Sequence, residues 1–277
     1  MTLPNFVYIG TGKSGSTWLF ETLRRHPNVY LAPSKETTFF DLNRHRGVAW
    51  YEAFFAGSKG ESVVGEIAHR YLQIPDVASS MAEVLGTDIR LMVTFRKPID
   101  FLVSDYRFAI RNGKQPESFE RFVIENDRLD AVAYSARLQP FRDTFGDERI
   151  LVTSFGDLVA DMEGMLRRVT DFVGIEPFEE IPTTGRVNPA AFPRSARLAR
   201  MANAGSKRAK RYGLQRVVAR VKRNPVVGRG LYAAASPAAV VTVAPSLKAE
   251  ADRIARIEAE ALDHAFGTSF RVEWLGE

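Results

Sequence analysis

Residues 5–19 read NFVYIGTGKSGSTWL, and the order of features in this stretch decides the fold. NFVYIG (5–10) is a short apolar run ending in glycine, the pattern of a buried strand. STWLFETLRRHP (16–27) places Trp18, Leu19 and Leu23 on one helical face and stops at Pro27. Strand, glycine loop and helix in that order form a phosphate cradle, because the N–H groups of the loop and of the helix N-terminus converge on one anion. GTGKSGST (10–17) falls one step short of the phosphate loop G-x-x-x-x-G-K-[ST]. Gly10 and Gly15 have the required separation, but Ser16 stands in the lysine's place and the cation, Lys13, lies inside the loop. Ser14, Ser16 and Thr17 add hydroxyl donors.

Working outward, NVYLA (28–32), SVVGE (62–66), IRLMVTF (89–95) and ILVTSF (150–155) read as further buried strands. Helices are predicted over 75–86, 98–112, 117–127, 130–146 and 157–173. This alternation predicts an α/β fold of three layers, a central parallel sheet flanked by helices, in the manner of phosphate-loop proteins. A single domain is expected to span 1–277. Its late part is a basic helical and loop segment at about 181–245, in which RLARMANAGSKRAKRYGLQRVVARVKR reads as two basic helices split near Gly205. A last helix covers 246–267 and ends at Gly267.

The 277 residues carry a net charge of +5, unevenly placed. Between Ile181 and Ala249 there are 14 Lys and Arg and no Asp or Glu; the rest holds 38 − 14 = 24 basic against 33 acidic residues. The excess therefore belongs to one segment and points to an anionic partner. The absence of cysteine excludes disulfides and thiolate metal sites, and His26, His45, His69 and His264 have no metal-ligand spacing. No bound metal is expected. No run of 18 apolar residues exists, so no spanning helix is expected. MTLPNFVYIG has no pattern of a secretion signal, and a cytoplasmic location is expected. No nucleic-acid motif is present.

The strand IRLMVTF delivers Arg96 and Lys97, a cation where a magnesium-dependent phosphotransferase needs a carboxylate. A phosphate neutralised by protein cations fits better. Two alternatives stay open: a kinase-like phosphotransferase with a relocated metal ligand, and a non-catalytic nucleotide-binding module that docks an anionic partner.

The chain resembles the sulfotransferases that use 3′-phosphoadenosine-5′-phosphosulfate (PAPS). Their first signature is a strand followed by P-K-[ST]-G-[ST]-[ST]; the counterpart is GKSGSTWL, with Gly12 for the common proline. Their second is a strand ending in R-[DN]-P with a serine further on; the counterpart is FRKPIDFLVSDY (95–106), with Arg96 and Ser104 and with Lys97 for the usual acidic or amide residue. SKETTFFD (34–41) resembles the K-E-x-x-F-F-D block of the carbohydrate and heparan-sulfate type. GEIAHRYL (65–72) is similar to G-E-K-[ST]-P-x-Y, with Ile67 for the lysine and His69 for the proline.

The resemblance implies transfer of a sulfuryl group from PAPS to an acceptor hydroxyl or amine, leaving adenosine 3′,5′-bisphosphate. It assigns the 5′-phosphosulfate to Gly12, Lys13, Ser14, Gly15, Ser16, Thr17 and Trp18, and the 3′-phosphate to Arg96 and Ser104. Glu36 becomes the base and Lys13 the group that stabilises leaving-group charge. Asp41, His69 and Arg70 become acceptor-side residues beside Glu36. A late loop with Asn188, Arg194 and Arg197 is expected to close over the donor. The acceptor is expected to be a glycan or small molecule, with peripheral contact to an anionic surface through 194–229.

Overall fold

The computed structural model describes residues 2–180, 192–193, 195–214, 217–218, 221, 232–233 and 241–277. The strands are β1 (Phe6–Gly10), β2 (Val29–Leu31), β3 (Val63–Ile67), β4 (Arg90–Phe95), β5 (Ile150–Ser154), β6 (Phe192–Pro193) and β7 (Tyr232–Ala233). The helices are α1 (Ser16–Leu23), α2 (Val48–Glu52), α3 (Val77–Leu85), α4 (Pro98–Arg111), α5 (Phe119–Glu125), α6 (Tyr134–Phe145), α7 (Phe155–Ala160), α8 (Met162–Val173), α9 (Ala196–Arg211), α10 (Pro245–Phe266) and α11 (Phe270–Leu275). They group into two compact units.

The first unit comprises 1–96, 134–187 and 258–277 and holds a five-stranded sheet in the order β2-β3-β1-β4-β5. Every neighbouring pair is parallel. The predicted parallel sheet is therefore present, with all five of its strands where the apolar runs placed them. Strands buried on both faces carry unbroken apolar runs, and the two-residue alternation sorts the side chains. Phe6, Tyr8 and Met92 join a buried cluster with Trp18, Leu19 and Leu23 of α1 and Met165, Leu166, Val169 and Val173 of α8. Phe95, three residues beyond Met92 and so on the opposite face, stacks on Tyr134 of α6 with centroids 4.5 Å apart.

Two predicted helices are divided in the structure. The 157–173 stretch breaks at Asp161, whose backbone leaves the helical region (φ −142°, ψ 77°) so that its carboxylate caps α8 through the Gly164 N–H at 2.8 Å. The 130–146 stretch opens as a single 3₁₀ turn, Asp130–Val132, and resumes as α6.

The second unit comprises 97–133 and 188–257: α4, α5, the β6–β7 antiparallel pair, α9 and the first half of α10. The expected break near Gly205 does not occur, and α9 runs through it. A helix-interior glycine costs only about 1 kcal/mol relative to alanine, too little to interrupt sixteen residues. The second expected basic helix falls mostly outside the described residues.

Candidate active site

β1 hands the chain to the loop at Gly10. The Thr11 N–H donates to the Thr94 carbonyl of β4 at 3.1 Å. The Thr11 hydroxyl donates to the same carbonyl at 2.9 Å and lies 2.7 Å from Ser14 Oγ. The loop base is thus tied to the neighbouring strand while its crest stays raised. Lys13 at the crest adopts a left-handed backbone (φ 67°), a conformation that costs energy outside glycine and is characteristic of functional loops. Gly15 closes the loop at φ 84°, and a Cβ there would stand 2.3 Å from Leu158 Cδ2. Only glycine satisfies both the angle and the space. α1 then starts at Ser16 without a side-chain cap, so its first-turn N–H groups face the loop as an anion site.

Three cations of the first unit converge here. Lys13 is on the loop. Arg96, at the end of β4, donates from Nη1 to the Lys13 carbonyl at 3.2 Å. Its guanidinium lies 4.5 Å from the Phe155 ring centroid, and its own carbonyl accepts from Tyr134 OH at 2.8 Å. Lys35 donates from Nζ to Ser16 Oγ at 3.0 Å and Thr17 Oγ1 at 2.8 Å. It therefore sits on the two hydroxyls assigned to phosphate. In the sequence, Lys35 stands only as part of the motif around Glu36; no local signal says that it folds back onto α1, eighteen residues away.

Glu36 is also left-handed (φ 68°). Its N–H donates to the Ile67 carbonyl at 3.1 Å, and its carbonyl accepts from Ser34 Oγ at 3.3 Å. The Glu36 carboxylate pairs with His69 Nδ1, and the two side chains are 15% and 31% exposed. The imidazole lies over the loop: a Cβ at Gly12 would be 2.9 Å from His69 Cδ2. Two departures from the family pattern, glycine at 12 and histidine at 69, are thus one feature, the missing side chain making room for the ring. Ile67 is fully buried in β3 and supplies no charge.

Behind this pair lies Glu66, fully buried. Its carboxylate accepts from Thr37 N–H (3.0 Å), Thr37 Oγ1 (2.6 Å), Tyr71 OH (3.0 Å) and Tyr51 OH (2.6 Å). Burial pushes the Glu66 pKa up, and these donors pull it back. Burial, followed by the Glu66 charge, holds both tyrosines well above their usual value. This network fixes Thr37, and through it the unusual backbone at Glu36. Phe39 supports it from below, stacked on Tyr51 at 4.4 Å.

The remaining predicted residues are placed as follows. The Asp41 side chain is 2% exposed and lies 3.8 Å from Arg70 Nη1, whose own side chain is 53% exposed. The Trp18 indole belongs to the buried cluster, which leaves its first-turn N–H as the group directed to the anion site. Ser104 is on α4 in the second unit. Asn188 and Arg194 lie outside the described residues, and Arg197 is exposed on α9.

A family model described as "Sulfotransferase domain" matches residues 3–187. The chain belongs to the sulfotransferase domain family. Its curated relatives include mouse heparan sulfate glucosamine 3-O-sulfotransferase 3B1, 30% identical over 184 residues that cover 63% of this chain and 47% of the relative. They also include the membrane-associated sulfotransferase kil1 of Dictyostelium discoideum, 31% identical over 134 residues, 45% of this chain and 28% of the relative. The chain spans about half the length of the heparan sulfate enzymes it matches. A solved sulfotransferase from Alicyclobacillus acidocaldarius shares the fold, with a TM-score of 0.61, 23% identity and coverage of 83% of this chain and 100% of that one. These findings set aside the kinase-like alternative. They also overturn the cytoplasmic expectation: the relatives include a membrane-associated protein and enzymes of heparan sulfate, and the lack of a signal pattern in ten residues carries no weight against them.

Proposed function

We propose that this sulfotransferase moves the sulfuryl group of PAPS to a hydroxyl of a glycan acceptor, with Glu36 and His69 working together as the base. The observation that carries this reading is the meeting of two sites: the imidazole that Glu36 holds lies directly over the anion loop. PAPS, when bound, supplies an activated sulfur–oxygen bond. The residues present fit it. Lys13, Lys35 and Arg96 supply three positive charges, and the loop and the first turn of α1 supply N–H and hydroxyl donors.

The chain's own contributions follow from this geometry. Lys13 and Lys35 neutralise the negative charge that grows on the 5′-phosphate side as the bond to sulfur breaks, the term that dominates such displacements. Arg96, joined to the loop through the Lys13 carbonyl, holds the 3′-phosphate. On the acceptor side, the negative carboxylate of Glu36 beside His69 Nδ1 favours the ring proton on that nitrogen, so Nε2 presents its lone pair. As the acceptor oxygen bonds to sulfur, its proton passes to Nε2, and Glu36 stabilises the imidazolium. Exposed Arg70, positioned by Asp41, offers a cation to an anionic sugar. A glycan acceptor is supported by the SKETTFFD block and by relatives named for heparan sulfate.

Calorimetric titration with adenosine 3′,5′-bisphosphate in the absence of Mg²⁺, beside ATP with Mg²⁺, tests the donor. Binding of the bisphosphate alone is expected, and binding of Mg-ATP alone would refute the reading. Transfer of labelled sulfate from PAPS to heparan oligosaccharides then tests the acceptor class.

A further inference from the structure

Thirteen large apolar side chains are exposed among the described residues, and six of them, Leu198, Met201, Tyr212, Leu214, Val217 and Val221, fall within 24 positions. Those positions lie inside the stretch from Ile181 to Ala249 that contains no Asp or Glu. Scattered exposed apolar residues are ordinary, but a cluster of them in a purely basic segment is not.

α9 shows how the two properties are arranged. One side of the helix is anchored within the second unit. Ala199 is fully buried, and Asn203 Nδ2 donates to the carbonyl and Oδ1 of Asn112 at 3.2 and 3.1 Å. At 100° per residue, Leu198, Met201 and Tyr212 share another face, with exposures of 54%, 71% and 65%. Arg197 and Arg208 are exposed along one edge of that face, and Arg200 is exposed further round beyond the same edge.

We infer that this face docks in the plane of an anionic membrane surface. A band of leucine, methionine and tyrosine edged by arginine is the pattern of a helix that buries its apolar side at the headgroup boundary and pairs its cations with lipid phosphates. A soluble polyanion would use the arginines but would leave the exposed apolar side chains without a role, and for that reason lipid is the occupant. No helix among the described residues is long and apolar enough to cross a membrane, so the contact is peripheral. This inference is independent of the donor and base assignments.

The test is sedimentation of the full chain with phosphatidylcholine–phosphatidylglycerol vesicles, beside pure phosphatidylcholine vesicles and soluble heparin. Binding to the mixed vesicles and not to the neutral ones is expected, weakening as salt rises. L198S/M201S should weaken it by at least about tenfold, and R200Q/R208Q by about 30-fold. Both double variants change exposed side chains; unaltered circular dichroism and an unaltered thermal unfolding midpoint establish that they fold. Three results would overturn the inference: no association with mixed vesicles, equal association with neutral ones, or association that neither variant weakens. Capture of heparin with the vesicle fraction empty would also overturn it, and loss of that capture in R200Q/R208Q would assign the segment to a glycan.

Discussion

Replacing Glu36 by glutamine is the sharpest probe of the proposed base. Glutamine keeps the shape and the left-handed backbone, but an amide has two ways to meet His69 Nδ1. Its oxygen can accept from Nδ1–H, without the charge that stabilises an imidazolium. Its NH₂ can donate to a bare Nδ1, which puts the ring proton on Nε2 and abolishes the base. Either way proton removal fails, and loss of a placed general base costs about 10²–10⁴ in rate, or roughly 2.7–5.4 kcal/mol at 1.36 kcal/mol per tenfold. The loop, Lys13 and Lys35 are untouched, so the affinity for adenosine 3′,5′-bisphosphate should stay within about twofold, well under the 1.4 kcal/mol of a tenfold change. H69A should slow turnover to a similar extent and respond to added imidazole. Because two residues acting as one unit are not additive, E36Q/H69A should be no slower than the slower single variant by more than about threefold. The assay is kcat with labelled PAPS, paired with calorimetric titration. Near-normal turnover in H69A would refute the pairing and leave Glu36 alone as the base. Equal loss of turnover and nucleotide affinity in E36Q would refute the base assignment altogether.

Other substitutions probe the parts around this pair. K35A removes charge-assisted bonds worth about 1.5–3 kcal/mol and should weaken bisphosphate binding by about 10–100-fold, whereas K13A should reduce turnover far more than affinity; the reverse pattern in the same two assays would exchange their roles. G15A meets both a left-handed angle costing about 1–2 kcal/mol and overpacking against Leu158 of about 1–3 kcal/mol. It should lower unfolding free energy by about 2–5 kcal/mol in a urea titration, and L158A should relieve only the second part. Y51F removes a donor to Glu66 and should destabilise by about 1.5–3 kcal/mol. The sign of its pH dependence follows from the raised Glu66 pKa. The folded state penalises the ionised carboxylate, so the penalty is absent below the unfolded pKa and grows as pH rises through the folded one. The deficit of Y51F should therefore be larger at pH 8 than at pH 4, and a deficit independent of pH would show that Glu66 does not depend on this donor.

The sheet was legible because its strands are buried on both faces and so carry unbroken apolar runs between glycine and polar turns. The anion loop was legible because the backbone demands there are local: glycine at 15 and a helix start at 16 can be read within eight residues. The break at Asp161 was not, because the periodicity of 157–173 continues across it and only the capping geometry interrupts the helix. Gly205 misled in the opposite direction, since one glycine is a weak breaker in a helix anchored by neighbours such as Asn203. The side proposed for the acceptor could be read as a set of residue types but not as an arrangement. Gly12 and His69 stand 57 positions apart, and each alone reads as a departure from a motif. Their complementarity exists only once β1 and β3 are side by side. Lys35 was hidden for the same reason: its partners, Ser16 and Thr17, belong to another element.

Lys35 and Glu36 are consecutive residues with opposite charges and opposite destinations. One reaches the first turn of α1, and the other reaches the ring over the loop crest. The backbone between them is left-handed, pinned to the Ile67 carbonyl on one side and to the Glu66 network on the other. On the proposed roles, the spacing between the leaving-group side and the attacking side of the reaction would be set by a single peptide unit rather than by the approach of separate parts. Variation that alters which acceptor is taken must spare this unit, because any shift that retunes Glu36 displaces Lys35 with it. The proposed roles therefore place changes in acceptor choice at the rim, at positions such as Arg70, where a side chain can be exchanged without moving the frame assigned to the transfer.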